Sequence, residues 1–173
     1  VVVLSNGGDF DVTTGDSRFN ECRWIWDRLD NVNGNCLEFT CVRDSSEDFW
    51  VNHLENNFDI KSYDAILSLP EYDSHFEHRK VNDISKALLR GVNVGLITYR
   101  TPSTLEQWIP NYYTELQDEV METKIDILRK GFSSQKDKLY FQRKRIKDFH
   151  INYQCSKVGV SYVEQFKIER LFG

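Results

Sequence analysis

Residues 63–99 read YDAILSLPEYDSHFEHRKVNDISKALLRGVNVGLITY. Residues 63–69 are an apolar run stopped by Pro70, with the length and composition of a buried strand. Ser74, with Glu77 three residues on, has the capping-box pattern of a helix start. Behind it Val81, Ile84 and Leu88 recur at helical spacing, and Gly91 sits where a left-handed C-terminal residue belongs. Residues 92–99 are a second apolar run. A strand, a cap, a helix, a glycine and a strand in one short stretch predict two parallel strands joined by a right-handed crossover helix.

The same alternation extends toward the start of the chain. Residues 1–5 read as a buried strand bounded by Asn6-Gly7-Gly8. Ser17 can cap a helix that places Phe19, Cys22, Trp26 and Leu29 on one face. Residues 36–42 are a second strand, and Ser45 or Ser46 caps a helix with Trp50, Leu54 and Phe58 on one side. Beyond Tyr99 the period changes. Ser103 and Glu106 repeat the capping-box pattern, and Tyr113, Leu116, Val120 and Ile127 recur at helical spacing up to Gly131. A basic helix is expected from Gln135 to Asp148. Phe149, Ile151, Tyr153 and Cys155 then alternate as a fifth strand. Val158, Val160 and Tyr162 fit either a hairpin partner or the start of a last helix. The expected fold is α/β: a three-layer flavodoxin-like or Rossmann-like sandwich on a mostly parallel sheet of four to five strands, ordered 2-1-3-4. A helical excursion at 103–148 lies between strands four and five. Residues 1–173 are expected to form a single α/β domain of a longer protein, because the chain has no initiator Met.

Composition narrows the function classes. The chain has 173 residues, 40% of them apolar and 28% charged, which excludes a disordered chain. No apolar run approaches the roughly 20 residues of a membrane span. The four cysteines, Cys22, Cys36, Cys41 and Cys155, show no zinc or redox spacing and read as buried thiols. No Asn-x-Ser/Thr sequon occurs, which favours an intracellular home, cytoplasm or nucleus. The formal net charge is −5, unevenly spread. Residues 1–75 carry 15 acids and 5 bases, and residues 76–173 carry 12 acids and 17 bases.

In an open parallel sheet, ligands bind beyond the carboxyl ends of the strands, where loops diverge and helix N-termini point inward. The residues expected there are Asn6, Gly7, Gly8, Asp9 and Asp11 after strand one, Arg43 and Asp44 after strand two, Glu71 and Asp73 with His75 and His78 close behind after strand three, and Arg100, Thr101 and Ser103 after strand four. Glu71 or Asp73 can also favour the dipole of the helix that follows. Converging carboxylates repel one another unless a divalent cation sits between them. Asp9, Asp11, Asp44 and Glu71 can therefore hold Mg or Mn for phosphoryl chemistry, with Arg100 steadying a phosphate. Gly7 and Gly8, with Arg100, are the phosphate-binding candidates, although no P-loop or dinucleotide pattern is present. Asp9-Phe10-Asp11-Val12-Thr13 resembles the Asp-x-Asp-x-Thr motif of haloacid-dehalogenase-like phosphatases; Gly7-Gly8 separates it from its strand, and the resemblance is set aside. His75 and His78 lie three apart at a helix start and read as surface or capping residues. No metal ligand set is assigned.

Lys136, Lys138, Arg143, Lys144, Arg145 and Lys147, interleaved with Phe132, Tyr140 and Phe141, form the expected surface for a partner or a nucleic acid. The overall acidity disfavours the nucleic acid. With no catalytic motif and with 11 Phe, 8 Tyr and 4 Trp, the sequence points first to a non-catalytic protein-interaction or regulatory domain with a protein partner. The alternative is a metal-dependent phosphoesterase or nuclease using the carboxylates at the strand ends.

Overall fold

A computed structural model describes residues 1–7 and 12–172. It is a mixed α/β structure whose described residues form two compact units. One comprises Val1–Val42 and Glu115–Val163, the other Arg43–Thr114 and Glu164–Gly173.

In the first unit, β1 (Val2–Ser5) and β2 (Asn35–Phe39) pair in parallel, with Val3 opposite Cys36. Helix α1 (Val12–Trp26) joins them. Gly34, just before β2, is required by packing: a Cβ there would overlap the Trp26 indole. Helices α4 (Asp118–Gly131) and α5 (Arg143–His150) close around a small core of Met121, Ile125 and Ile146, backed by Leu116, Leu128 and Tyr162. A short α6 (Tyr153–Val158) follows.

The second unit holds α2 (Glu47–Asn57), β3 (Ala65–Ser68), α3 (Phe76–Leu88) and β4 (Gly95–Tyr99). Strands β3 and β4 pair in parallel, Ala65 opposite Gly95 and Ser68 opposite Thr98, as the reading of residues 63–99 predicts. Their sheet continues through β6 (Tyr162–Arg170) to β5 (Tyr112–Leu116), in the order β3-β4-β6-β5. Leu89, Val94 and Leu96 form its core with Ile60, Ile66 and Val92 packed against them. Ser46 caps α2 by accepting a hydrogen bond from the Phe49 N–H at 3.1 Å. None of the described helices is long and apolar enough to cross a membrane.

Three expectations are corrected. The four to five mostly parallel strands are instead a parallel β1–β2 pair and a mixed four-stranded sheet, because β6 runs antiparallel to β4. Residues 149–155 are not a fifth strand. Asn152 caps α6 by accepting from the Gln154 N–H, Gly159 ends it at φ 75°, and Ile151 and Tyr153 point to solvent instead of marking a buried face. The excursion at 103–148 is only partly helical: Tyr113 and Leu116 belong to β5, and residues 103–106 start no helix.

Candidate active site at the ends of β3 and β4

The chain leaves β3 at Ser68 and meets Pro70, which has no N–H to extend a sheet. It then turns into α3 through residues 69–75. Asp73 makes that turn. Its Oδ1 accepts the His75 N–H at 2.7 Å at the helix entrance, where the His75 side chain itself makes no cap. The loop after β4 comes alongside. Ser74 N–H donates to the Ser103 carbonyl at 2.9 Å, Leu105 N–H donates to the Tyr72 carbonyl at 2.9 Å, and Asp73 bridges Thr104 in antiparallel fashion.

Asp73 is fully buried. Its Oδ2 accepts from the Thr101 hydroxyl at 2.6 Å and lies 3.1 Å from Nδ1 of His78. Burial pushes this carboxyl up. Hydrogen bonds from Ser103, Thr101, the His75 N–H and His78 outweigh it and hold Asp73 below the ordinary aspartate range. Asp73 is therefore an anion at neutral pH, and an anion only accepts hydrogen bonds. It follows that Nδ1 of His78 carries a proton. Ser103 Oγ, 3.2 Å from the same nitrogen, and Thr101 Oγ1, 3.1 Å from Ser103 Oγ, complete the network. In the neutral ring Nε2 then bears the lone pair, and it has no hydrogen-bond partner among the described residues. The His78 side chain is partly exposed. The His75 ring stacks on it with centroids 4.6 Å apart.

This arrangement is a carboxylate–imidazole pair of the kind that takes a proton from water and returns it to a leaving group. It does not by itself complete a cation site. A catalytic zinc takes three protein ligands. His75 and His78 supply two, Asp73 is occupied by its own network, and no group of three His, Cys, Asp or Glu able to hold a metal occurs among the described residues.

The residues singled out from sequence fall as follows. Gly8, Asp9 and Asp11 lie outside the described residues. Gly7 takes a left-handed turn at φ 63°, and its carbonyl accepts from Arg18 Nη1 at 3.0 Å. Asp44 is exposed beside Arg43. Glu71 is held by Lys86 at 2.7 Å and Lys167 at 3.5 Å, and its hydrogen bond from Lys86 holds it below the usual range. Arg100 is half-buried, with its N–H on the Gln165 carbonyl, and burial pulls its guanidinium below its ordinary value. Among the bases, Arg143 and Lys147 both pair with Glu122, and Lys144 pairs with Asp148. Lys138 lies over Tyr140, and Lys136 and Arg145 are exposed.

Sequence reasoning places Asp73, His78, Thr101 and Ser103 at the strand ends but assigns none of them a functional role. The available signal is Asp73-x-His75-x-x-His78 directly behind a strand, with Thr101 and Ser103 directly behind the next parallel one.

Neither a protein-family model nor a curated protein matches the sequence. Solved structures do match. The conserved protein TT1542 from Thermus thermophilus aligns with a TM-score of 0.71 at 14% identity, over 99% of this chain and 81% of that one. The 4-carboxy-2-hydroxymuconate hydratase GalB from Pseudomonas putida aligns with a TM-score of 0.69 at 15% identity, over 100% and 85%. The N,N'-diacetylchitobiose deacetylase from Pyrococcus horikoshii aligns with a TM-score of 0.68 at 18% identity, over 96% and 71%. At such identities the likeness shows the fold. It nevertheless overturns the expectation of a non-catalytic protein-interaction or regulatory domain: two of these three structures are enzymes by name, and this chain pairs a buried Asp73 with a partly exposed His78, an arrangement suited to proton transfer.

Proposed function

We propose that the chain is a hydrolase with its centre at the C-terminal ends of β3 and β4, and that its substrates are N-acylated compounds, acetamides first. The observation that carries this reading is the buried Asp73 fixing Nδ1 of His78 at 3.1 Å, which leaves Nε2 with its lone pair on a partly exposed side chain. The resemblance in fold to a hydratase and a deacetylase supports it, because both names imply the activation of water.

In the proposed reaction, His78 Nε2 takes a proton from water as the water oxygen bonds to the acyl carbon. The C–N bond then breaks, and the imidazolium returns that proton to the departing nitrogen. A carboxylic acid and an amine result, and the acid's proton passes to the amine to give a carboxylate and an ammonium ion. Asp73 stabilises the imidazolium between the two steps. Arg100, next to Thr101 at the end of β4, is the guanidinium proposed to steady the oxyanion.

The test is acetate release from a panel of N-acetylated amines and amino sugars, with phosphodiesters in parallel. Activity on acetamides is expected, falling about 10²- to 10⁴-fold in His78→Ala. Phosphate-ester cleavage alone would move the chain to the phosphoesterase reading. No turnover of either class, or turnover unaffected by His78→Ala, would refute the proposal. Loss of turnover on chelation, restored by zinc, would change the role of His78 from base to ligand.

A further inference from the structure

Helix α3 carries more of this centre than His78. Asn82, one turn further on, is buried to 1% exposure and donates from Nδ2 to the Leu69 carbonyl at 2.7 Å. Arg79, beside His78, donates from Nη1 to the Asp73 carbonyl at 2.6 Å. These two carbonyls bracket the loop that presents Asp73 to His78. The buried Pro70 adds no donor of its own within it.

Asn82 also sits where an amide is costly. Its Oδ1 is buried and has no hydrogen-bond partner among the described residues. A buried orphan acceptor weakens a fold, and an apolar side chain of similar shape would avoid it. The position gains from asparagine only the bond to Leu69.

We propose that Asn82 and Arg79 are positioning residues: they clamp both ends of the Leu69–Asp73 segment to the helix that bears His78, and so set the Asp73–His78 contact. This rests on the proposed role of His78 as the base. The two residues act through Asp73 and touch no reacting atom. The clamp fixes which ring nitrogen of His78 holds the proton, since that choice follows from the bond the other makes.

The experiment reads the His78 tautomer by ¹⁵N NMR of the imidazole nitrogens in the full chain. Wild type is expected to hold His78 as the Nδ1–H form. Asp73→Asn serves as the control that removes the anion. Asn82→Leu, with an unchanged circular-dichroism spectrum, is expected to move His78 toward the Nε2–H form that free histidine favours. Arg79→Met should do the same, and because Arg79 is exposed it serves if Asn82→Leu does not fold. On an acetamide substrate both variants should lower kcat about 10- to 100-fold with little change in KM. A folded Asn82→Leu that keeps the wild-type tautomer overturns the proposal. So does an unchanged tautomer in Arg79→Met where Asn82→Leu fails to fold, or a wild-type His78 in the Nε2–H form. The tautomer is read whether or not the protein hydrolyses anything, so failure of the hydrolase reading and failure of the clamp are separate results.

Discussion

Asp73 shows how a carboxylate stays ionised away from water. Burial opposes its charge, and four donors, two from the loop after β4 and two from the start of α3, restore it. The folded protein therefore binds this proton less readily than the unfolded chain does. The resulting stabilisation is present above the ordinary aspartate range and is lost as pH falls through the lower folded value. Wild type should lose stability on acidification below about pH 4, and Asp73→Asn should show a flatter slope there. At neutral pH the same substitution should cost about 1–3 kcal/mol, since an amide presents a donor to groups that already donate. Urea unfolding between pH 3 and 7 checks both. Sequence reading notices Asp73 and both histidines, and takes them for helix-start chemistry. That reading is incomplete because Thr101 and Ser103 reach Asp73 across the β3–β4 pairing, a tertiary contact that no local spacing reports.

Among the elements, legibility tracks whether local signals agree with burial. The stretch from β3 to β4 is readable because cap, apolar period and glycine all point to one helix between two strands, and Gly91 indeed has φ 71°. Even there the Ser74 hydroxyl does not cap α3; it donates to the Ser103 carbonyl at 3.1 Å. At 149–155 the signals conflict: alternation suggests a strand, while Asn152 and Gly159 bound a helical turn. Strand β5 is hidden because Tyr113 and Leu116 fit a helical period, and only pairing with the distant β6 makes them extended. Caps that are present carry measurable stability. Ser46→Ala removes the acceptor for the Phe49 N–H and should cost about 0.5–2 kcal/mol in denaturant unfolding. Gly34→Ala should cost about 1–3 kcal/mol, since the Trp26 indole must move.

On the scale of the whole molecule, the four cysteines give a chemical reading of one unit. All four belong to the unit built on β1, β2 and α1, and none of them forms a disulfide. Cys41 and Cys155 are buried, and burial, with the Cys36 and Glu21 charges adding to it, pushes the Cys22 thiol up to about 11. A thiol reagent at pH 8 should therefore find these three slow in the native protein and count four in denaturant. Fast native reaction at Cys41 or Cys155 would contradict the packing described.

The order of strands in the larger sheet also bears on how the molecule is made. Strand β6 lies between β4 and β5, yet it is synthesised after both. Until residues 162–170 leave the ribosome, one edge of β4 and the facing edge of β5 have no partner. The nascent chain therefore passes through an interval with open hydrogen-bonding edges, and closure waits on contacts far apart in sequence, which fold slowly. A chain cut before residue 162 should carry that interval permanently and aggregate on expression, whereas β6 supplied in trans as a peptide should restore its solubility.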